Sequence, residues 1–220
     1  GEVGTGKTTI LRNLLNSIPS KTDVAFILNP RLTAIELLET ICEEFSLKEP
    51  DQPSQTIKQY INSLNKFLRE NDNLDRSAVL IIDEAQNLSA SVLEQIRLLT
   101  NIETDSKKLL RIILIGQPEL EEMLSRTELR QLAQRITARY RLNPLNRGET
   151  KTYIQHRLQV AGTESIIFKD SAIDTVYKIS KGIPRLINLL CDRAMLGAYA
   201  LDLNEVSSSI IRQSREEVFG

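Results

Sequence analysis

Apolar residues follow two rhythms along this chain. Short runs at residues 24–28, 77–82 and 110–115, apolar apart from Ser77 and Arg111, have the length and composition of buried parallel strands. Between the first two runs the spacing changes: Ile35, Leu38, Ile41, Cys42 and Phe45, then Ile57, Tyr60, Ile61, Leu64, Phe67 and Leu68, recur every three or four positions, as on the buried faces of helices. Asn29-Pro30 stops the first strand, a loop around Pro50 and Pro53 separates the two helices, and Thr33-Ala34-Ile35-Glu36 has the form of a capping box. Ser91-Val92-Leu93-Glu94 has the same form and places the start of the next helix at Ser91. A last strand is expected near residues 138–142. Beyond Arg147 only helical spacing remains, over residues 150–160, 171–180, 184–199 and 206–215. The turn-rich segment 143–148 therefore marks a boundary, with a core over residues 1–145 and a small all-helical lid over 146–220. Strands alternating with helices predict an α/β fold, a parallel sheet with helices on both faces.

The first eight residues, Gly1-Glu2-Val3-Gly4-Thr5-Gly6-Lys7-Thr8, fill every fixed position of the phosphate-binding loop pattern G-x-x-x-x-G-K-[ST]. Glycines let successive N–H groups converge on phosphate oxygens. Lys7 is placed to reach the β- and γ-phosphates, Thr8 offers a hydroxyl to Mg²⁺, and the helix running on from Thr9 turns its positive end toward the anion. Gly1, Gly4, Thr5, Gly6, Lys7, Thr8 and Thr9 are thus the candidate nucleotide contacts. Such a loop connects a buried strand to a helix. The expectation is a segment of a longer protein, with the preceding strand upstream of Gly1.

Two carboxylates, Asp83-Glu84, emerge where the apolar run 77–82 ends, which is where open α/β sheets bind ligands. In this arrangement, known as Walker B, Asp83 holds Mg²⁺ and Glu84 polarises the attacking water. The competing reading is an acidic pair that favours a helix start. Gln117, at the end of the third run, is either a sensor of the γ-phosphate or a turn residue before Pro118. Arg126, Arg130, Arg135, Arg139, Arg141 and Arg147 crowd one stretch, and one of them could serve a neighbouring subunit as an arginine finger. Arg185 follows Gly182-Ile183-Pro184 at the start of a lid helix, where the helix dipole gives a cation no support and a bound phosphate would.

Composition narrows the classes. Lys+Arg 28 against Asp+Glu 29 leaves a net charge of -1, so nucleic-acid binding is not favoured, and one histidine, His156, rules out His-based metal sites and triads. Cys42 and Cys191 lie in helical stripes and read as small buried hydrophobes in a reducing compartment.

The phosphate loop, LIIDEAQNLS from Leu80, LLTNIET from Leu98, IGQPEL from Ile115, LRQLAQRITARY from Leu129 and GIPRLINLLCDRAMLGAYA from Gly182 together resemble the AAA+ ATPases, and within them the general secretion pathway protein A group. The resemblance implies a P-loop NTPase sheet of order 5-1-4-3-2, with strand 1 missing from this sequence. It also implies Gln117 as sensor 1, Arg185 as sensor 2 and Arg135 as the finger, with Arg139 a competitor because the spacing from Arg135 to Leu142 is long. It implies a Mg-dependent ATP hydrolase working as a homo-oligomer to assemble or remodel an envelope secretion or pilus machine. The expected location is the cytoplasm, with a tether to the inner membrane through segments outside this sequence. A DNA-associated ATPase of transposition-regulator or initiator type is the alternative that the arginines keep open, and a slow nucleotide-locked switch is a third.

Overall fold

The computed structural model describes residues 1–28, 30–47, 56–104, 107–163 and 165–219. The expected strand stop at Asn29 and the loop prolines Pro50 and Pro53 lie outside them. In chain order the elements are α1 (Lys7–Ser17), β1 (Thr22–Ile27), α2 (Ala34–Glu44), α3 (Ile57–Asn73), β2 (Ser77–Ile82), α4 (Ala90–Leu99), β3 (Leu110–Leu114), α5 (Pro118–Leu124), α6 (Arg130–Arg135), α7 (Arg147–Val160), α8 (Asp170–Ser180), α9 (Pro184–Ala200) and α10 (Ser208–Phe219). They divide into two compact units, one of residues 11–140 and one of residues 1–10 with 141–220.

The first unit is built on a parallel sheet in the order β1-β2-β3, with Val24 level with Val79 and Leu80 level with Ile112. Because side chains alternate across a strand, β2 feeds two cores at once. Ala78, Leu80 and Ile82 join the large cluster with Leu38, Ile41, Leu64, Leu93 and Ile96. Val79 and Ile81 face the other way and pack with Leu11 and Leu15 of α1. A strand buried on both faces explains why its sequence is continuously apolar.

Two expectations need correction. Residues 138–142 form no strand: a ladder requires a hydrogen-bonding neighbour, and none pairs with them among the described residues. The far edge of β3 has no ladder partner among the described residues. The cap of α4 is Ser89, not Ser91: the Ser89 hydroxyl accepts from the Val92 N–H at 3.4 Å, while Ser91 pairs with Ser89 through their hydroxyls at 2.9 Å. The capping box at Thr33 forms as its sequence suggests, with Thr33 N–H donating to Glu36 at 2.7 Å.

Beside the sheet, Asp23 accepts from Arg76 Nε at 3.0 Å and from Asn71 Nδ2 at 2.7 Å. The Arg76 bond, first, and then Asn71 and the guanidinium charge hold the Asp23 carboxyl below its ordinary value, against partial burial that pushes it up. A carboxyl depressed in the folded state stabilises the fold above its unfolded pKa, and that stability is lost as the pH falls through the folded one. Asp23→Asn is therefore expected to cost about 1 to 2 kcal/mol at neutral pH. The deficit should begin to shrink below about pH 4 and vanish only as the pH falls through the folded pKa. Urea titrations at several pH values check this; an equal deficit at pH 7 and pH 3 would contradict the assignment.

In the second unit α7 to α10 surround a core of Ile154, Ile173, Val176, Ile187, Leu190, Ala194 and Ile211. Pro184 occupies the first turn of α9, where its missing N–H removes no helical bond. The turn before it is tightly built. Gly182, with φ 76°, donates its N–H to the Ser180 hydroxyl at 3.2 Å, and its carbonyl accepts from the Leu145 N–H at 2.8 Å. Both cysteines are buried and free, and burial, helped by the charge of Asp192, pushes the Cys191 thiol up to about 12.

Candidate nucleotide and hydrolysis site

The loop ahead of α1 is shaped by its glycines. Gly4 has φ 81° and Gly6 φ 98°, conformations that side-chain-bearing residues rarely take. Thr5 is buried and closes the turn, its hydroxyl donating to the Glu2 carbonyl at 2.8 Å. Lys7 Nζ donates to the carbonyls of Gly1 and Glu2, at 2.7 and 3.0 Å, which holds the ammonium over the loop. The first free turn of α1 supplies the donors: the N–H groups of Gly6, Lys7 and Thr8 have no hydrogen-bond partner among the described residues. Three such donors, a cation and space around Gly6, where an added Cβ would meet nothing within 4 Å, fit a chain of phosphates. An anionic phosphate oxygen competes well with the two neutral carbonyls for Lys7. Thr9 is exposed in the first turn, its N–H bonded to the Gly6 carbonyl at 3.0 Å, so its contact with a ligand would be through its side chain.

Arg185 belongs to the same unit, and its place is close to this loop. Its N–H donates to the Gly4 carbonyl at 3.2 Å, and a Cβ added to Gly4 would stand 2.7 Å from Arg185 Cβ. The guanidinium is exposed. Gly1 is similarly crowded by the Leu142 carbonyl, 2.6 Å from where its Cβ would be. The residue types alone gave no sign of this collar, because it depends on main-chain atoms far away in sequence.

In the sheet unit, main-chain bonds run past the ends of the strands. Asp83 N–H donates to Ile27 O at 2.9 Å, Ile115 N–H to Ile82 O at 2.8 Å and Ala85 N–H to Ile115 O at 2.8 Å. Glu84 lies between two pinned neighbours and takes a left-handed backbone, φ 50° and ψ 37°. For a residue with a side chain this costs about 1 to 2 kcal/mol, a strain of the kind found at working sites. Asp83 is buried, one oxygen accepting the Glu84 N–H at 2.8 Å. The Glu84 carboxylate accepts from Gln117 Nε2 at 3.0 Å and from Gln86 Nε2. The structure thus joins Glu84 with Gln117, as two candidates in one network, and adds Gln86, which the residue pattern alone does not single out.

Each unit offers an oxygen donor of the kind that suits a hard cation such as magnesium, the Thr8 hydroxyl in one and the Asp83 carboxylate in the other. No group of three or more His, Cys, Asp or Glu capable of holding a metal occurs among the described residues, so such an ion would complete its shell with phosphate and water oxygens.

The finger candidates sit on the surface of the sheet unit. Arg135 Nη1 donates to the Thr100 hydroxyl at 3.1 Å, beside the C-terminal end of α4, where a cation is favourable. Arg139 makes a long contact, 3.4 Å, to the Ala133 carbonyl. Both are exposed.

Comparison with known proteins agrees with this geometry. A family profile described as AAA domain matches residues 1–124. The chain is similar to general secretion pathway protein A of Aeromonas hydrophila, 49% identical over 220 residues, which is 100% of this chain and 40% of that protein. It is similar to a potential ATP-binding protein of Staphylococcus aureus, 31% identical over 149 residues, 64% of this chain and 50% of that one. The chain therefore spans half or less of the length of these curated relatives. Among solved structures, Cdc6p from Pyrobaculum aerophilum superposes with a TM-score of 0.73 at 19% identity, covering 99% of this chain and 59% of that one, which shows the shared P-loop fold. By its phosphate loop, its parallel sheet and the profile that spans them, the chain belongs to the AAA+ ATPase family.

Proposed function

We propose that this chain binds and hydrolyses Mg-ATP as the motor portion of a homo-oligomer that assembles or remodels an envelope secretion or pilus machine. The observation that carries the reading is the loop leading into α1, where the N–H donors of Gly6, Lys7 and Thr8 meet no partner among the described residues, Lys7 Nζ lies over the loop and Arg185 packs against Gly4. The remaining roles follow from chemistry. Gly1, Gly4, Thr5, Gly6, Lys7, Thr8 and Thr9 form the phosphate cradle, Lys7 and Arg185 neutralise phosphate charge, and Thr8 and Asp83 would hold Mg²⁺, which offsets charge developing on the phosphates. Glu84 draws a proton from the attacking water, and Gln117 orients that water. Arg135, or Arg139 in its place, reaches a neighbouring subunit's nucleotide. In this reading residues 1–145 act as the ATPase core and residues 146–220 as the lid.

The secretion role rests on the 49% identity to general secretion pathway protein A. The near-neutral charge of -1 gives the DNA-associated alternative little support. No described helix is long and apolar enough to cross a membrane, and we place the chain on the cytoplasmic side, tethered through flanking sequence.

The test is a steady-state phosphate-release assay on the full-length protein with and without Mg²⁺, beside isothermal titration with ATP. The expected result is Mg-dependent turnover, and Lys7→Ala should weaken ATP binding at least about tenfold, the loss of one charge-assisted contact. Unchanged affinity in Lys7→Ala, or no ATP uptake by the wild type, would refute the proposed site.

A further inference from the structure

We infer that Gln86 is a positioning residue for hydrolysis: its side-chain amide ties the Glu84 carboxylate to the main chain at the end of β3 and so holds Glu84 and Gln117 in one arrangement. This inference rests on the ATPase reading above and deepens it.

The orientation of the amide is fixed by the structure. A main-chain N–H can only donate, and Gln117 N–H meets Gln86 Oε1 at 3.0 Å, so that end of the amide is the oxygen. The other end, Nε2, is thereby turned on Glu84 Oε2 at 2.5 Å. The same carboxylate oxygen accepts from Gln117 Nε2 at 3.0 Å. Gln86 therefore contacts Gln117 through its main chain while sharing with the Gln117 side chain a single oxygen of Glu84. Two donors on one anionic oxygen narrow the rotamers of a long, flexible side chain and stiffen one another.

Two further observations favour a positioning role over ordinary polar satisfaction. Gln86 and Glu84 are both only partly buried, so water could have served either of them. Room has also been kept for the amide. A Cβ on Gly116 would stand 3.0 Å from Gln86 Oε1 and 2.9 Å from Leu120 Cδ2, and Gly116 does not have the positive φ that would otherwise call for glycine. The absent side chain at 116 thus leaves the space that the Gln86 amide fills.

The experiment is steady-state ATP hydrolysis with parallel nucleotide titration on the full-length protein. Gln86→Met keeps the length of the side chain and removes both its donor and its acceptor. It should lower kcat on the order of 10²-fold, the cost of a small misplacement at a reacting group. KM and the nucleotide Kd should stay within about threefold of wild type, since the loss falls on the transition state alone. Gln86→Glu, nearest in shape and the safeguard should Met disturb folding, keeps the acceptor for Gln117 N–H but sets a like charge against Glu84; a kcat loss at least as large is expected. In a Glu84→Gln background, Gln86→Met should add less than about threefold, because the group it positions is already gone. A kcat within about threefold of wild type in both Gln86 variants, or a loss that persists in full beside Glu84→Gln, overturns the inference. So does a kcat loss matched by an equal loss of affinity. If the wild type itself fails to turn over ATP, the ATPase reading falls and takes this inference with it. Wild-type turnover beside indifferent Gln86 variants overturns this inference alone.

Discussion

Glu84→Gln should bind ATP within about threefold of wild type and lose between about 10² and 10⁴ in kcat, the range over which a positioned general base contributes. The substitution isolates chemistry from structure unusually well here. Gln86 and Gln117 each donate an amide N–H to Glu84 Oε2, and a glutamine at 84 still presents them with a carbonyl oxygen. The Glu84 N–H to Asp83 is untouched by the exchange, as are the main-chain bonds that pin Asp83 and Ala85. What the exchange removes is the negative charge and the basicity of the carboxylate. Parallel calorimetry and phosphate-release rates check it, and turnover within about tenfold of wild type would remove Glu84 from the role of base.

Gly182→Ala should destabilise the lid by about 3 kcal/mol or more, the sum of a left-handed backbone penalty and a steric overlap. The overlap is with main chain: an added Cβ would fall 1.8 Å from the Leu145 carbonyl oxygen, where no rotamer change can relieve it. The segment carrying Leu145 would have to move, and the 2.8 Å bond between Leu145 N–H and Gly182 O with it. The residue before gives a contrast of opposite sign. Lys181 also has a positive φ, 51°, but is exposed, so Lys181→Gly should be neutral or stabilising by up to about 1 kcal/mol. Thermal unfolding of both variants, with hydrogen exchange over α7 to α9 to locate the change, is the measurement. A Gly182→Ala loss below about 1 kcal/mol would show that this turn tolerates a side chain after all.

The parts of the candidate site that could be proposed from the sequence are those whose chemistry is local. The phosphate loop is contiguous, so its glycines, Lys7 and Thr8 announce themselves, and Asp83 and Glu84 stand out because the apolar run of β2 stops at them. The lid helices were legible from their apolar spacing, since each buries one face in a shared core. Gln86 was not, because its meaning depends on the main chain of a residue 31 positions away, brought level by the register of β2 and β3. The packing of Arg185 on Gly4 likewise joins opposite ends of the sequence. The strand expected at residues 138–142 shows the converse: alternating residues suit a strand, but a strand exists only with a partner to bond. The cap of α4 was misplaced by two residues because two serines compete there and only hydroxyl geometry separates them.

The bare side of β3 bears on how subunit number is measured. Leu110–Leu114 present on that side a row of amides and carbonyls that a foreign backbone can zip onto. Pairing through that edge would be a nucleotide-independent route to self-association. Clumping of that kind should ignore ATP, Mg²⁺ and Arg135 alike, which sets it apart from a ring whose subunits share a nucleotide.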